Sequence, residues 1–362
     1  MGCGTPKDFK YTESITGIDY ILDATFTNTG VCYNISSEYN SVTLEQPFLN
    51  VRSFPEGTRN CYTLKPARGN TDKLFIRSSF MYGNFDGQNK VPSFDLLLDY
   101  DEWDSVQFND ASTIVTKEIL HVPKKNYLDV YLVNTGSGTP FISAIELRPL
   151  KNNDTYPAGP GLSLLFYSRL DSGSKATNNE PFRLVKLLKD DGYDRIWSPY
   201  TKSNWVTKST SLDVYNNGPM NYLPPSIVMQ TAAMPANGSN SLVIDWELSD
   251  PTLEYFAYLY FAELDPSQPE KQTREEKVFF NGESWYGPYT TSYLSSFTVY
   301  SIDSRSGQRL EFSFNKTKKS LLPPLINTVE LYQTKMFQQL LTNQQDCNIF
   351  SWLQNVTFLS RL

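Results

Sequence analysis

The feature that most constrains the fold is a weak internal repeat in the 362-residue chain. The segment PFISAIEL at 140–147 matches PLINTVEL at 324–331, with Pro, Ile, Glu and Leu at equivalent positions. An alternating apolar and polar segment precedes each copy, at 127–132 and 309–314. Order and spacing agree between the copies and indicate a duplicated β unit of about 150–180 residues.

The segment 127–132 is typical of a strand with one buried face, because successive side chains point to opposite sides. The leucine and valine side chains of this segment are expected on the buried face, with Asp129 and Tyr131 on the solvent face. A high content of Tyr and Phe also favours strands, and no amphipathic helix longer than two turns is evident. We therefore expect an all-β fold of antiparallel sandwich type.

The repeat divides the chain into two domains, as its length also suggests. Domain 1 is assigned to residues 1–150 and domain 2 to residues 162–337. The stretch 151–161 between them is polar and rich in Pro and Gly, which is typical of a linker. Residues 338–362 break the pattern and form an atypical tail.

The charge pattern excludes some classes of partner. The net charge is −7, the pI is near 5.0, and no long basic run occurs, whereas a nucleic-acid binder needs a clustered basic face. No stretch approaches the roughly 20 apolar residues that span a bilayer. The N-terminus lacks the charged-then-apolar pattern of a signal peptide.

Few residues suggest catalysis or metal binding. His121 is the single histidine and has no nucleophile motif nearby, so we expect a structural role. The acidic segment 99–104 lacks the Gly and terminal Glu of an EF-hand loop, which favours a solvated face. No C-x-x-C pair suggests zinc. We predict no metal, cofactor or enzymatic activity, with glycoside hydrolysis by Glu263 and Asp265 as the alternative.

A longer and more specific motif, NVRSFPEGTRNCY, lies at Asn50–Tyr62. Further motifs follow it: an alternating segment at 73–87, TIVTKEI at 113–119, VNTGSGTPFIS at 133–143 and DRIW at 194–197. Together they resemble the malectin-like extracellular region of plant leucine-rich-repeat receptor-like kinases. The resemblance implies two tandem malectin-type β-sandwich domains with a jelly-roll-like fold. In the full-length proteins, leucine-rich repeats, a membrane helix and a kinase follow, so a truncated chain is expected.

The resemblance also suggests where a ligand would bind. Animal malectin holds a glucose-containing oligosaccharide through loop aromatics and an Asp, and aromatic ring faces suit the C–H groups of sugars. The candidate ligand-binding residues in domain 1 are Tyr82, Asn84, Phe85, Asp86 and Trp103. The same residues also fit an ordinary Gly/Asn/Asp turn and a tryptophan at the edge of a core.

Domain 2 departs from the malectin pattern. Asp265 and Pro266 stand where malectin has two adjacent aromatics, and Met229 and Met234 replace its sugar-contacting tyrosines. The resemblance therefore implies that domain 2 lacks the malectin sugar platform.

The cysteines and sequons are consistent with secretion. Three of the four cysteines, Cys3, Cys32 and Cys61, lie near the N-terminus, and the fourth is Cys347. The resembled family usually has Cys at both positions 3 and 61, which favours a Cys3–Cys61 disulfide. Cys32 remains a competitor for this pairing, and Cys347 is expected to stay unpaired. The predicted N-glycosylation sites are Asn34, Asn153, Asn237 and Asn315.

These observations predict a non-catalytic extracellular recognition module that acts in signalling. Its partner would be a cell-wall oligosaccharide, a peptide or a co-receptor ectodomain, and the altered domain 2 favours protein contact. The module would lie outside the cell or at the plasma membrane as part of a full-length receptor. The alternatives are a carbohydrate-active enzyme and a truncated paralogue without a ligand.

Overall fold

The computed structural model describes residues 1–5, 10–14, 16–66, 72–150, 156–174, 182–183, 191–216, 222, 224–238, 241–266 and 274–338. Predictions about Asn153, Cys347, residues 151–155 of the linker and nearly all of the tail lie outside these residues. Within them the chain forms two compact units. Unit 1 holds residues 1–150, 157–164 and 335–338, and unit 2 holds residue 156 and the described residues of 165–334. The domain boundaries assigned above stay a prediction.

Unit 1 consists of short strands and two 3-10 helices, Ser37–Tyr39 and Gln46–Leu49. Its strands are β1 (Tyr11–Thr12), β2 (Asp19–Tyr20), β3 (Val31–Asn34), β4 (Asn50–Ser53), β5 (Arg59–Leu64), β6 (Leu74–Met81), β7 (Ser93–Leu98), β8 (Asp101–Val106), β9 (Ile114–His121), β10 (Leu128–Ser137), β11 (Phe141–Ile142) and β12 (Ala144–Pro149). The chain enters unit 2 along β13 (Leu162–Ser172).

Unit 2 has one helical turn among its described residues, α1 (Ser226–Met229). Its strands are β14 (Phe182–Arg183), β15 (Ile196–Tyr200), β16 (Trp205–Ser209), β17 (Thr231–Pro235), β18 (Leu242–Glu247), β19 (Tyr255–Phe261), β20 (Glu275–Phe280), β21 (Glu283–Thr290), β22 (Phe297–Tyr300), β23 (Arg309–Lys316) and β24 (Thr328–Met336). The predicted all-β class is confirmed. No helix in the described part of the chain is long and apolar enough to cross a bilayer.

Unit 1 packs two antiparallel sheets face to face. One has the strand order β5–β10–β7–β8, and the other contains β12–β6–β9. Phe80 of β6 packs edge-on against Phe94 of β7 with ring centroids 5.7 Å apart, and Phe141 contacts both rings. The predicted sandwich therefore forms around an aromatic core. A third sheet has the order β11–β4–β3.

Unit 2 repeats this arrangement. One sheet has the order β18–β23–β20–β21, and another contains β13–β24–β19–β22. Phe261 of β19 packs edge-on against Phe314 of β23 at 5.7 Å. Phe80 and Phe261 end the matching segments FIRSSF at 75–80 and FAYLYF at 256–261, so the duplicated pattern corresponds to a duplicated core contact.

The repeated Glu of the PFISAIEL and PLINTVEL segments is the centre of a buried ion pair in each unit. In unit 1, Glu146 accepts hydrogen bonds from Arg77 Nη1 at 3.0 Å and from Tyr20 at 2.6 Å. In unit 2, Glu330 accepts from Arg195 Nη1 at 2.7 Å. A buried carboxylate needs such partners because water no longer solvates it. The repeat thus preserves a polar interaction inside each unit.

The motif Asn50–Tyr62 forms β4, a Pro/Gly turn and β5, and it anchors the N-terminal segment of unit 1. Arg52 donates from Nε and Nη2 to the carboxylate of Asp23 at 2.6 and 2.7 Å. The Tyr62 hydroxyl donates to the same carboxylate at 2.9 Å. Because Asp23 is fully buried, these donors determine whether its charge is tolerated. The motif therefore has a structural role.

The solvent face predicted for β10 is wrong. Asp129 and Tyr131 are as buried as the leucine and valine side chains that alternate with them. Thr63 donates to Asp129 Oδ1 at 2.6 Å, and the Arg59 guanidinium lies 4.8 Å from the centroid of the Tyr131 ring. β10 lies between β5 and β7, so side chains of a neighbouring strand cover its second face.

The predicted Cys3–Cys61 disulfide is also wrong. Cys61 is disulfide-bonded, whereas Cys3 is a buried free thiol whose pKa is raised by burial. Cys61 and Tyr62 are neighbours on β5, so their side chains point to opposite faces. Cys3 lies beside Tyr62, while Cys61 packs against Tyr131. The strand itself separates the two sulfur atoms.

Candidate functional site

The turn predicted to bind a ligand, Tyr82–Gly87, follows directly after β6. Gly83 and Asn84 both have φ of 49°, in the left-handed region that glycine adopts without strain. A Cβ on Gly83 would lie 2.5 Å from Ile35 Cγ2, so close packing also requires glycine there. The chain therefore reverses tightly and brings the polar side chains of the turn together.

These polar side chains hydrogen-bond one another. Tyr82 donates to Asp86 Oδ1 at 2.5 Å and lies 3.3 Å from Asn84 Oδ1. Asn84 Nδ2 donates to Asn89 Oδ1 at 2.8 Å, and the Asn89 N–H donates back to Asn84 Oδ1 at 2.9 Å. Much of the hydrogen-bonding capacity that would recognise sugar hydroxyls is therefore used within the turn.

The aromatic ring of the turn faces inward. Phe85 is 9% exposed, and its ring packs against Tyr82 and Phe141 at centroid distances of 5.5 and 5.1 Å. Tyr33 of β3 contacts it at 5.5 Å. The structure thus brings Tyr82, Asn84, Phe85 and Asp86 together, and Asp86 is the exposed member of the four. Ligand binding at this turn stays a prediction.

Trp103 lies in the interior on β8. Its backbone carbonyl accepts a hydrogen bond from Lys335 Nζ at 3.3 Å, and its side chain is buried. The acidic residues around it have local partners, since Asp104 pairs with Lys117 at 2.9 Å and Asp99 Oδ1 accepts the Asp129 N–H at 3.0 Å. Over the described ranges, no group of three His, Cys, Asp or Glu side chains is placed to hold a metal.

His121 also has a structural setting. Its Nδ1 lies 2.8 Å from Ser163 Oγ, and its ring centroid is 5.2 Å from that of Phe337. Burial lowers the pKa of His121 to about 4, so the imidazole is neutral near pH 7.

Unit 2 carries a different feature, which we name the tyrosine surface: Tyr215, Tyr286 and Tyr293, with Leu212 and Ile227 at its rim. The tyrosines are 62%, 43% and 41% exposed, and the two aliphatic side chains are exposed as well. Exposed aromatic and aliphatic side chains on connected segments are typical of binding surfaces.

Hydrogen bonds join the segments that carry the tyrosine surface. The Tyr215 N–H donates to Leu294 O, and the Ser296 N–H donates to Tyr215 O, both at 2.8 Å. Tyr293 lies in the same 292–297 stretch, and Tyr286 packs on Phe297 with centroids 5.9 Å apart. Each of the three tyrosines therefore belongs to this short segment or contacts it.

The rim is connected in the same way. Gln230 Nε2 donates to Leu212 O at 3.2 Å, and the Val214 N–H donates to Ser226 Oγ at 2.9 Å. These bonds place α1, which carries Ile227, beside the 212–215 segment.

A buried ion pair holds the loop beneath the tyrosine surface. Arg274 Nε donates to Glu263 Oε2 at 2.8 Å. The Glu263 N–H donates to Ser292 O at 3.2 Å, and the Leu294 N–H donates to Glu263 O at 2.9 Å. The loop near Asp265 was expected to lack the malectin sugar platform. Through Glu263, the same loop hydrogen-bonds the segment that bears Tyr293. Asp265 itself pairs with Lys208 at 3.3 Å.

The sequence interpretation missed the tyrosine surface because its members are far apart in the chain. The YGPY run at 286–289 was a local indication, since it places two tyrosines on either side of a Gly-Pro pair. It does not reveal that Tyr215, some 70 residues earlier, lies beside the 292–297 segment.

Comparison with known proteins identifies what the chain resembles. A family model described as a malectin-like domain matches residues 1–334. A putative leucine-rich repeat receptor-like protein kinase of Arabidopsis thaliana is 41% identical over 96% of this chain, which covers 38% of that protein. A probable receptor-like serine/threonine-protein kinase of the same species is 40% identical over 96% of this chain and 39% of its own length. The chain thus spans about two fifths of the relatives that it matches.

Two solved structures share the fold. The complex of the plant peptide RALF23 with FER and LLG2 contains a chain that superposes with a TM-score of 0.68, at 15% identity over 92% of this chain and 94% of that one. The ANX2 ectodomain of Arabidopsis thaliana gives a TM-score of 0.70, at 14% identity over 94% and 98% of the two chains.

Proposed function

Because the chain belongs to the malectin-like family, we propose that it is a non-catalytic extracellular recognition module of a receptor kinase and binds a peptide or protein partner. The relatives are receptor-like kinases, so the module would act outside the cell, ahead of a membrane anchor and a kinase. A structural neighbour is described in complex with a peptide and a second protein, which supports a partner of this kind.

The observation that carries the proposal is that three exposed tyrosines each belong to or contact the 292–297 segment. Tyrosine is enriched at protein interfaces because it offers a large apolar ring with a polar end and only two side-chain torsions to immobilise. Aliphatic side chains at the rim add apolar area without recognising sugar hydroxyls. Carbohydrate binding at Tyr82–Gly87 has weaker support, because that turn bonds to itself and Phe85 is buried.

The test uses the secreted chain in calorimetric titrations. The probes are a panel of secreted plant peptides and co-receptor ectodomains, beginning with RALF23 and LLG2, and a set of cell-wall oligosaccharides. Tyr215→Ala and Tyr286→Ala should each weaken peptide or protein binding by about 10–100-fold if these residues are interface hot spots.

The matched control is Tyr33→Ala, which removes a tyrosine of 39% exposure from unit 1. It should leave the affinity unchanged. Binding of an oligosaccharide that is lost on Phe85→Ala would reject the proposal in favour of the lectin function. An equal loss of affinity for the control Tyr33→Ala and for Tyr215→Ala and Tyr286→Ala would reject the assignment to the tyrosine surface.

A further inference from the structure

A second buried carboxyl lies beside the ion pair beneath the tyrosine surface. Glu276 of β20 is fully buried, and neutral groups bond its side chain. The Leu325 N–H donates to its Oε1 and the Tyr289 hydroxyl donates to its Oε2, both at 3.2 Å. A buried carboxylate ordinarily has a cationic partner because water no longer solvates its charge. Glu276 has neutral partners instead.

The cation of this cluster, Arg274, is bonded to Glu263. Arg274 Nε and Nη2 donate to the two carboxylate oxygens of Glu263 at 2.8 and 3.3 Å, and Nη1 donates to Pro323 O. Two buried carboxyls therefore share one guanidinium, and the charge count gives one ion pair and one neutral carboxyl. Burial raises the pKa of Glu276 to about 8, in agreement with this count.

Other titratable groups near Glu276 in the described chain are neutral or lie in solvent. Tyr289 of β21 and Lys316 of β23 lie opposite Glu276 in the sheet. Lys316 is exposed, as are Lys318 and Lys319 in the turn that follows it. A charge on Glu276 would therefore need water to stabilise it, and water reaches this buried carboxyl when a covering segment moves.

The covering segment that should open at least cost is β21. It is the edge of its sheet, its pairing with β20 is irregular, and most of its residues are exposed. Through Tyr289 this strand also supports the tyrosine surface, because the Tyr289 ring packs on Tyr286 and Phe297 at centroid distances of 5.8 and 5.3 Å. The contact that covers Glu276 and the contacts that hold Tyr286 thus belong to one strand.

We propose that the protonated carboxyl of Glu276 positions the tyrosine surface, and that its ionisation opens β21 and disrupts this surface. While the carboxyl is neutral, Tyr289 covers it without burying a charge. Once it is charged, opening hydrates it, and the same motion carries Tyr286 and Tyr289 away from Phe297. This inference rests on the proposed function for the role of the surface, but its test uses the free chain and needs no partner.

The test is hydrogen exchange of the secreted chain at about pH 6.5 and 8.5, corrected for the pH dependence of intrinsic exchange. If opening returns the pKa of Glu276 from about 8 to its ordinary value of 4.5, the opening equilibrium constant rises roughly 20-fold between these two conditions. Protection of β21 should fall by that factor. Protection of β18, the opposite edge of the same sheet, should change less, because its local opening does not hydrate Glu276.

Three variants identify the group that titrates. Glu276→Gln should make the protection of β21 insensitive to pH over this range. Glu263→Gln frees Arg274 to pair with an ionised Glu276, so most of the pH response should disappear. Asp171→Asn removes another buried carboxyl, which accepts from Thr231 at 2.8 Å, and should keep the full response.

Equal protection of β21 at the two pH values in the wild type, or an equal loss in β18, would overturn the proposal. A full pH response in either glutamine variant, or its absence in Asp171→Asn, would overturn it as well. Failure of the proposed function is a separate result, because the partner titrations with Tyr215→Ala and Tyr286→Ala detect it and the exchange experiment does not depend on them.

Discussion

Replacement of Glu330 by Gln should destabilise unit 2 by about 3–5 kcal/mol, the range for breaking a buried ion pair. The Glu330 side chain is 0% exposed, and its carboxylate accepts from Arg195 at 2.7 Å while Arg169 Nε lies 3.6 Å away. The amide has nearly the same shape, so little packing is lost. The substitution removes one negative charge from between two buried guanidinium groups, which water cannot reach to compensate.

The same substitution at Glu247 is the matched control. Glu247 pairs with Arg309 at 3.4 Å, but its side chain is 76% exposed and that of Arg309 is 46% exposed. Solvent screens such a pair, so Glu247→Gln should cost about 0–1 kcal/mol.

Thermal and chemical unfolding of the secreted chain measure both effects. A loss of 3–5 kcal/mol corresponds to a fall in Tm of roughly 6–20 °C for a domain of this size. Because the chain has two compact units, near-ultraviolet dichroism is followed together with calorimetry to resolve separate transitions. Equal shifts for Glu330→Gln and Glu247→Gln would refute the argument that burial, rather than pairing itself, sets the cost.

Two further outcomes concern the turn of unit 1 and a buried carboxyl of unit 2. Gly83→Ala should lower the free energy of unfolding by about 2–4 kcal/mol, because a left-handed φ combines with overlap of the new Cβ and Ile35. Gly87→Ala places its Cβ in open space and should cost about 1 kcal/mol. Similar losses of stability for the two variants in unfolding experiments would contradict this reasoning. Burial raises the pKa of Glu276 to about 8, so the folded state holds a proton that the unfolded state releases near pH 4.5. Stability should therefore fall as pH rises from about 4.5 to 8, and Glu276→Gln should flatten that fall. Burial also raises the pKa of Asp171 to about 7, so Asp171 should account for the pH dependence that remains in Glu276→Gln. An unchanged pH profile for Glu276→Gln would show that the carboxyl is not the source.

Much of the fold was predictable from local pattern. Residues 128–132 and 309–314 of the repeat segments do lie in strands β10 and β23, and the repeated Glu does occupy an equivalent buried place in each unit. Period-two alternation and β-branched or aromatic residues are properties of a short segment, so they can be recognised without knowing its neighbours.

The burial of β10 could not be predicted in the same way. Asp129 and Tyr131 look like residues of a solvent face, and only the positions of Thr63 and Arg59 across the sheet show how that face is covered. Side-chain burial here depends on the neighbouring strand, which comes from a distant part of the chain.

The cysteines give a second example of this limit. Sequence separation allowed Cys3 and Cys61 to pair, but a disulfide also needs both Cβ vectors to point toward each other. The alternation of β5 directs Cys61 away from the Tyr62 side, where Cys3 lies. The direction of the Cys61 side chain depends on how β5 is oriented in the sheet, which a single short segment of sequence does not reveal.

The sequence by itself determined the all-β class, the duplication and the family, because these are recorded in local alternation and in motifs such as Asn50–Tyr62. The tertiary structure alone decided which aromatics are available to a partner. Phe85 resides in a promising turn yet packs inside it, whereas Tyr215, Tyr286 and Tyr293 come together from separate segments and stay exposed. The physical reason is that exposure depends on which distant side chains fill the space around a ring, and that information is absent from any short stretch of sequence.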